Sequence, residues 1–71
     1  MIEIYGKPQC PFCDRAKALC EARKLPYKYF QLGTDFTRDE VLEKFPGART
    51  FPQITVHGTK IGGYDKLGTY L

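Results

Sequence analysis

The sequence predicts a small α/β sandwich, one sheet with helices on both faces. Three observations carry this: a strand, helix, strand order in the first half, a second helix announced by its own cap, and a tight turn between two short extended runs near the end. In 71 residues there is room for one core, so residues 1–71 are expected to form one domain.

Ile2 and Ile4 alternate with Glu3 and Tyr5 ahead of Gly6, a period-2 pattern that reads as a first strand. From Pro11 to about Lys24 the spacing turns helical. Phe12, Cys13, Ala16, Leu19 and Cys20 share one side, and Asp14, Arg15, Lys17, Glu21 and Lys24 lie largely on the other. Pro26 is expected to close this helix, because a proline biases the residue before it out of the helical region. Tyr27 to Leu32 follows as an aromatic-rich second strand, and Gly33-Thr34-Asp35 as a loop.

Thr37, with Glu40 three residues on, is a capping-box signature for a second helix that ends at Pro46-Gly47. Phe51 to Val56 reads as a third strand, His57-Gly58 as a tight turn, and Thr59 to Ile61 as an antiparallel return. After Gly62-Gly63, Tyr64 to Leu71 allows two turns of helix, weakened by Gly68. A right-handed crossover makes the first two strands parallel, and the hairpin adds antiparallel ones.

Composition narrows the function. Apolar residues make up 42% and charged residues 27%, the balance of an ordinary globular domain. The net charge of +3 comes from interleaved signs, with no block of Lys or Arg suited to nucleic acid, so the excess better fits a small acidic ligand. No apolar run approaches a membrane span, and Met1 to Ile4 lacks the features of a signal peptide, so the expected address is the cytoplasm, where thiols stay reduced.

Three cysteines, Cys10, Cys13 and Cys20, fall within eleven residues. An odd, clustered set does not suit a disulfide scaffold. Pro11 at the first helical position puts Cys10 at the N-cap, where its sulfur faces unpaired backbone N–H groups of Phe12 or Cys13 and the positive end of the helix dipole. Such a site lowers a thiol pKa from about 8.5 into a range of about 3.5 to 7.5, and Lys7 adds positive charge. Cys10 is therefore expected to be reactive, with Cys13 one turn inward and able to reach it. A Cys₃His zinc site of Cys10, Cys13, Cys20 and His57 is disfavoured. On one helix Cys13 and Cys20 lie about 10.5 Å apart along the axis, too far for one tetrahedral ion, so no metal is expected and Cys20 reads as a core residue.

Three segments together resemble the dithiol glutaredoxins, the small bacterial and phage kind: Cys10 to Lys17 the active-site segment, Thr50-Phe51-Pro52-Gln53-Ile54 the Thr-Val-Pro-Gln-Ile segment, and Ile61 to Asp65 the Gly-Gly turn. The resemblance spans nearly the whole chain. It implies the thioredoxin fold, a four-stranded mixed sheet of order 2-1-3-4, and a glutathione-dependent thiol-disulfide oxidoreductase with Cys10 as nucleophile and Cys13 as resolving thiol. It further implies that Pro52 is a cis-proline, that the Phe51 backbone pairs with the cysteinyl part of glutathione, that Lys7 meets the glycine carboxylate, with Arg49 a second candidate for it, and that Gly63, Tyr64 and Asp65 meet the γ-glutamyl end. Phe12 and Thr50 complete the implied glutathione site. Glutathione is then a reducing co-substrate, and the partners are disulfide-containing or glutathionylated proteins, with ribonucleotide reductase a frequent one in the family. A monomer is expected.

Three positions depart from common family residues. Phe12 stands for tyrosine, Phe51 for valine, and Lys66 for a second acidic residue, which leaves Asp65 alone to meet the ligand's amino group. One other reading shares the chemistry, a redoxin reduced by thioredoxin reductase, whose usual Trp-Ser-Gly-Phe-Arg-Pro segment is absent here; another is of a different class, a glutathione-dependent [2Fe–2S] binding protein, whose relatives usually carry Gly and Ser where Pro11 and Cys13 stand.

Overall fold

A computed structural model describes residues 1–71. Seven elements follow in order: β1 (Ile2–Gly6), α1 (Pro11–Ala22), β2 (Tyr27–Gln31), α2 (Arg38–Lys44), β3 (Gln53–Val56), β4 (Thr59–Gly62) and α3 (Tyr64–Tyr70). The four strands form one sheet in the order β2-β1-β3-β4, the order expected of the thioredoxin fold. β1 pairs parallel with β2, and β3 pairs antiparallel with both β1 and β4.

Register decides the core. Ile2 faces Val56 and Ile4 faces Ile54 across the β1–β3 ladder, so the alternating apolar residues of two strands reach the same face of the sheet. There they meet Ala16 and Cys20 of α1 and Leu67 of α3 in one buried cluster. The opposite face carries Phe36, Val41 and Phe45, with Tyr5, Phe30 and Phe51 packed against them. Tyr5 stacks on Phe30, its partner in the ladder, with ring centroids 4.9 Å apart. Helices thus cover both faces, with α1 and α3 on one side and α2 on the other.

Turn chemistry matches expectation at two places. Thr37 accepts a hydrogen bond from the Glu40 backbone N–H at 3.2 Å, and the Glu40 carboxylate accepts one from the Thr37 N–H at 2.8 Å, a complete capping box. His57 and Gly58 both have positive φ, 51° and 81°, as a two-residue hairpin turn requires.

Four expectations need correction. α1 ends at Ala22, not near Lys24, and Pro26 is not what ends it. Lys24 turns left-handed at φ 56°, its N–H bonding to the Glu21 carbonyl and that of Leu25 to the Cys20 carbonyl. That is a Schellman closure, sealed by Leu25 packing on the core. β2 ends at Gln31, and Leu32 makes only an isolated bridge to Phe36. β3 begins at Gln53 rather than Phe51, because Pro52 has no N–H for the ladder. Phe12, grouped by helical spacing with the apolar side, is 52% exposed, since the first turn of α1 places its ring beside Tyr64 instead of over the sheet.

One close approach restricts the end of β1. A Cβ on Gly6 would run into the phenol of Tyr29 on the neighbouring strand, so any larger residue there would have to displace that ring. Lys17 lies over that ring, its Nζ 4.2 Å from the centroid. Burial, with help from the Asp14 charge, raises the pKa of Tyr29.

Candidate active site

Gln9 adopts φ 57° immediately before Cys10, turning the chain from the β1 end into α1. Cys10 is the N-cap, with extended φ and ψ, and Pro11 occupies the first helical position. The Cys13 backbone N–H donates to Cys10 Sγ at 3.2 Å, so the cap bond expected from Phe12 or Cys13 comes from Cys13. Cys10 and Cys13 are joined as a disulfide, with Cα atoms 5.2 Å apart. Cys10 retains 6% exposure and Cys13 none, so of the pair only Cys10 reaches the surface.

Two groups act on Cys10 Sγ in opposite senses. The Cys13 N–H and the α1 dipole favour a thiolate. The Phe51 carbonyl oxygen, 3.8 Å away, is an acceptor for the protonated thiol. Cys20 is the contrast: it is fully buried and free, and burial, followed by the Glu21 charge, pushes its thiol pKa up.

A groove of about 240 Å³ opens beside this pair, lined by Phe12, Thr50, Phe51, Pro52, Gly63, Tyr64 and Asp65. Seven of the nine residues singled out for the ligand therefore share one groove. Lys7 and Arg49 do not line it. The Lys7 ammonium lies 6.0 Å from the Phe51 ring centroid, in a neighbouring cavity that Arg49 also lines and that shares only Thr50 and Phe51 with the first. The Phe51–Pro52 peptide bond is cis.

Asp65 sits in the first turn of α3, exposed, and makes no capping bond; Gly63 is the N-cap and offers no side chain. Its carboxylate is thus free for a ligand. Gly63 is also tight against the groove, where a Cβ would come within 3.4 Å of the Pro52 carbonyl oxygen. Lys66 folds back toward Gly62, where a Cβ would lie 2.9 Å from its Cγ.

Sequence reading overlooked Gln53. Its Nε2 donates to the Thr50 carbonyl at 2.7 Å, bracing the segment that holds Phe51 beside Cys10. The available signal was an amide side chain directly after the proline, at the start of a strand otherwise read for its apolar residues.

Known proteins resemble this chain in sequence and in fold. The glutaredoxin family model matches residues 2–61, most of the chain. The chain is 36% identical over 66 residues to glutaredoxin 3 of Escherichia coli K12, covering 93% of this chain and 80% of that protein. The chain belongs to the glutaredoxin family. Among solved structures, reduced Escherichia coli glutaredoxin superposes with a TM-score of 0.79 at 31% identity, covering 97% of this chain and 89% of that one. A buckwheat glutaredoxin in complex with glutathione gives 0.77 at 27% identity, over 96% and 64%. This glutaredoxin is a thiol-disulfide oxidoreductase with Cys10 and Cys13 as its dithiol pair, and none of its helices is long and apolar enough to cross a membrane.

Proposed function

We propose that this glutaredoxin uses glutathione to reduce protein disulfides and glutathione mixed disulfides, acting as one monomeric domain in the cytoplasm, with ribonucleotide reductase among its acceptors. The observation that carries this reading is the placement of Cys10, capped by the Cys13 N–H and bordered by a groove that ends at an unpaired carboxylate, Asp65.

The Cys10 thiolate attacks a substrate disulfide, forming a mixed disulfide and releasing one substrate sulfur as a thiolate. Cys13 gives up its proton and attacks Cys10 Sγ, which releases the second sulfur and leaves the Cys10–Cys13 disulfide. Two glutathione molecules then restore the dithiol and leave as oxidised glutathione. In the single-cysteine route, Cys10 takes the glutathionyl group from a modified protein, and a second glutathione removes it.

The groove supports glutathione as the reductant. The Phe51 backbone is placed to pair with its cysteinyl unit in strand fashion, Gly63, Tyr64 and Asp65 suit the γ-glutamyl end, and Lys7, beyond Phe51, suits the glycine carboxylate. Phe12 and Tyr64, with ring centroids 6.0 Å apart, wall the groove.

A coupled assay with one electron source at a time tests the reading. Turnover is expected with glutathione and its reductase, and turnover with thioredoxin reductase alone would overturn it. Cys13→Ser should keep reduction of glutathione mixed disulfides and lose reduction of protein disulfides. Loss of both would mean that the two sulfurs are misassigned.

A further inference from the structure

One side chain holds the peptide unit between Thr50 and Phe51. Gln53 Nε2 donates to the Thr50 carbonyl at 2.7 Å. That carbonyl and the Phe51 N–H belong to the same planar trans peptide and point in opposite directions, so a bond that fixes one fixes the other. Gln53 does not line the Cys10 groove. It lies with Arg49 and Lys60 along a separate shallow cavity that shares only Thr50 with the groove. The Thr50 carbonyl is thus drawn away from the groove, which leaves the Phe51 N–H turned toward it.

The two ends of this brace differ in anchorage. Gln53 is the first residue of β3 and pairs with Tyr5 of β1, whereas Thr50 and Phe51 lie in no strand or helix. The Phe51 N–H makes no hydrogen bond within the chain, and the Phe51 carbonyl has only Cys10 Sγ, 3.8 Å away. Beside the surface sulfur there is therefore a backbone donor with no partner of its own, and the torsions on either side of its peptide plane are soft. Gln53 ties that plane to the sheet.

We propose that Gln53 is a positioning residue for thiol-disulfide exchange: it presents the Phe51 N–H to the backbone carbonyl beside a substrate's reacting sulfur, so that a disulfide carried on a peptide backbone is captured at Cys10 in preference to one without. The proposal rests on the reading that Phe51 pairs with the substrate in strand fashion, but not on glutathione being the reductant. In one turnover the reduced Cys10–Cys13 dithiol passes two electrons and two protons to the substrate disulfide and becomes a disulfide itself.

Single-turnover reduction by the pre-reduced chain, without glutathione, tests it. Two uncharged disulfides are compared over a range of concentration: that of N-acetylcysteine methylamide, which carries backbone amides on both halves, and bis(2-hydroxyethyl) disulfide, which has none. The unaltered chain is expected to reach half-saturation at a lower concentration of the first. Gln53→Met keeps the length of the side chain without its donor, and Gln53→Glu sets an acceptor against the Thr50 carbonyl at neutral pH. Gln53→Met should raise the half-saturating concentration of the amide disulfide about five- to tenfold with the limiting rate kept, the weight of one hydrogen bond, and Gln53→Glu at least as much. Rates on bis(2-hydroxyethyl) disulfide should be unchanged in both variants, which also shows that they are folded and that Cys10 still reacts. If both variants keep the preference of the unaltered chain, the proposal is overturned and strand pairing at Phe51 stands. A parallel loss on the two disulfides would overturn it as well, leaving Gln53 a support of the fold alone. If the unaltered chain has no preference between them, the strand-pairing reading falls and takes the proposal with it.

Discussion

Two helices bring their N-termini to the Cys10 groove, and they are held very differently. α1 runs for twelve residues, buries Cys13, Ala16 and Cys20, starts with Pro11 behind a side-chain cap and closes with a Schellman turn. α3 runs for seven, buries only Leu67, starts at Gly63 with no side-chain cap and contains Gly68. The sulfur proposed to attack therefore stands on the well-anchored helix, and the carboxylate proposed to meet the ligand on the weakly anchored one. Thiol chemistry needs Cys10 and Cys13 in fixed geometry, whereas an exposed carboxylate can settle as its ligand arrives.

The strongest way to break the comparison is at Leu67, the one buried anchor of α3. Leu67→Ala should cost about 2 to 5 kcal/mol in urea unfolding, a large share for a chain this small. A cost below about 1 kcal/mol would show that α3 is held by something else. Asp65→Asn should come next, raising the KM for a glutathione mixed disulfide about five- to tenfold with kcat kept, the weight of one exposed charge-assisted hydrogen bond. An equal fall in kcat would place Asp65 in the chemistry instead.

Gly68→Ala sharpens the contrast from the other side. A Cβ there meets nothing within 4 Å, so the substitution should stabilise α3 by about 0.5 to 1 kcal/mol. Smallest is the tie between α1 and β2, where the Tyr27 hydroxyl donates to Glu21 at 2.7 Å. That bond, helped by burial, pushes the Tyr27 pKa from 10.0 up to about 12. Its contribution, about 0.5 kcal/mol at this exposed position, is complete below the ordinary tyrosine pKa and lost as pH rises through about 12. An alkaline absorbance titration should show Tyr27 and Tyr29 lagging the other tyrosines, and Tyr27→Phe should remove the Tyr27 share of the late transition.

Where the sequence was legible, one residue type had one local meaning. Pro11 announced the start of α1 and so the cap at Cys10, and Thr37 with Glu40 announced α2. Alternation in Ile2 and Ile4 marked the strand whose register builds the core. The end of α1 was misread because Pro26 is a conspicuous stop, whereas the true stop is a lysine in a left-handed conformation that no glycine advertises. Site residues close in sequence to a motif were found together in one groove. Lys7, Arg38 and Arg49 meet in the next cavity only because β1, α2 and the segment before Pro52 converge there, and no local pattern encodes that meeting.

The unequal exposure of Cys10 and Cys13 has a consequence for timing. With Cys10 as the sulfur proposed to attack and Cys13 out of reach of outside thiols, a captured substrate is released by one of two routes. Another thiol must find Cys10 from solution, at a rate that depends on concentration, or Cys13 must reach it from one turn away at a high and constant effective concentration. Lowering free thiol should slow the first route and leave the second untouched, so the buried cysteine sets an upper limit on how long a protein substrate stays attached.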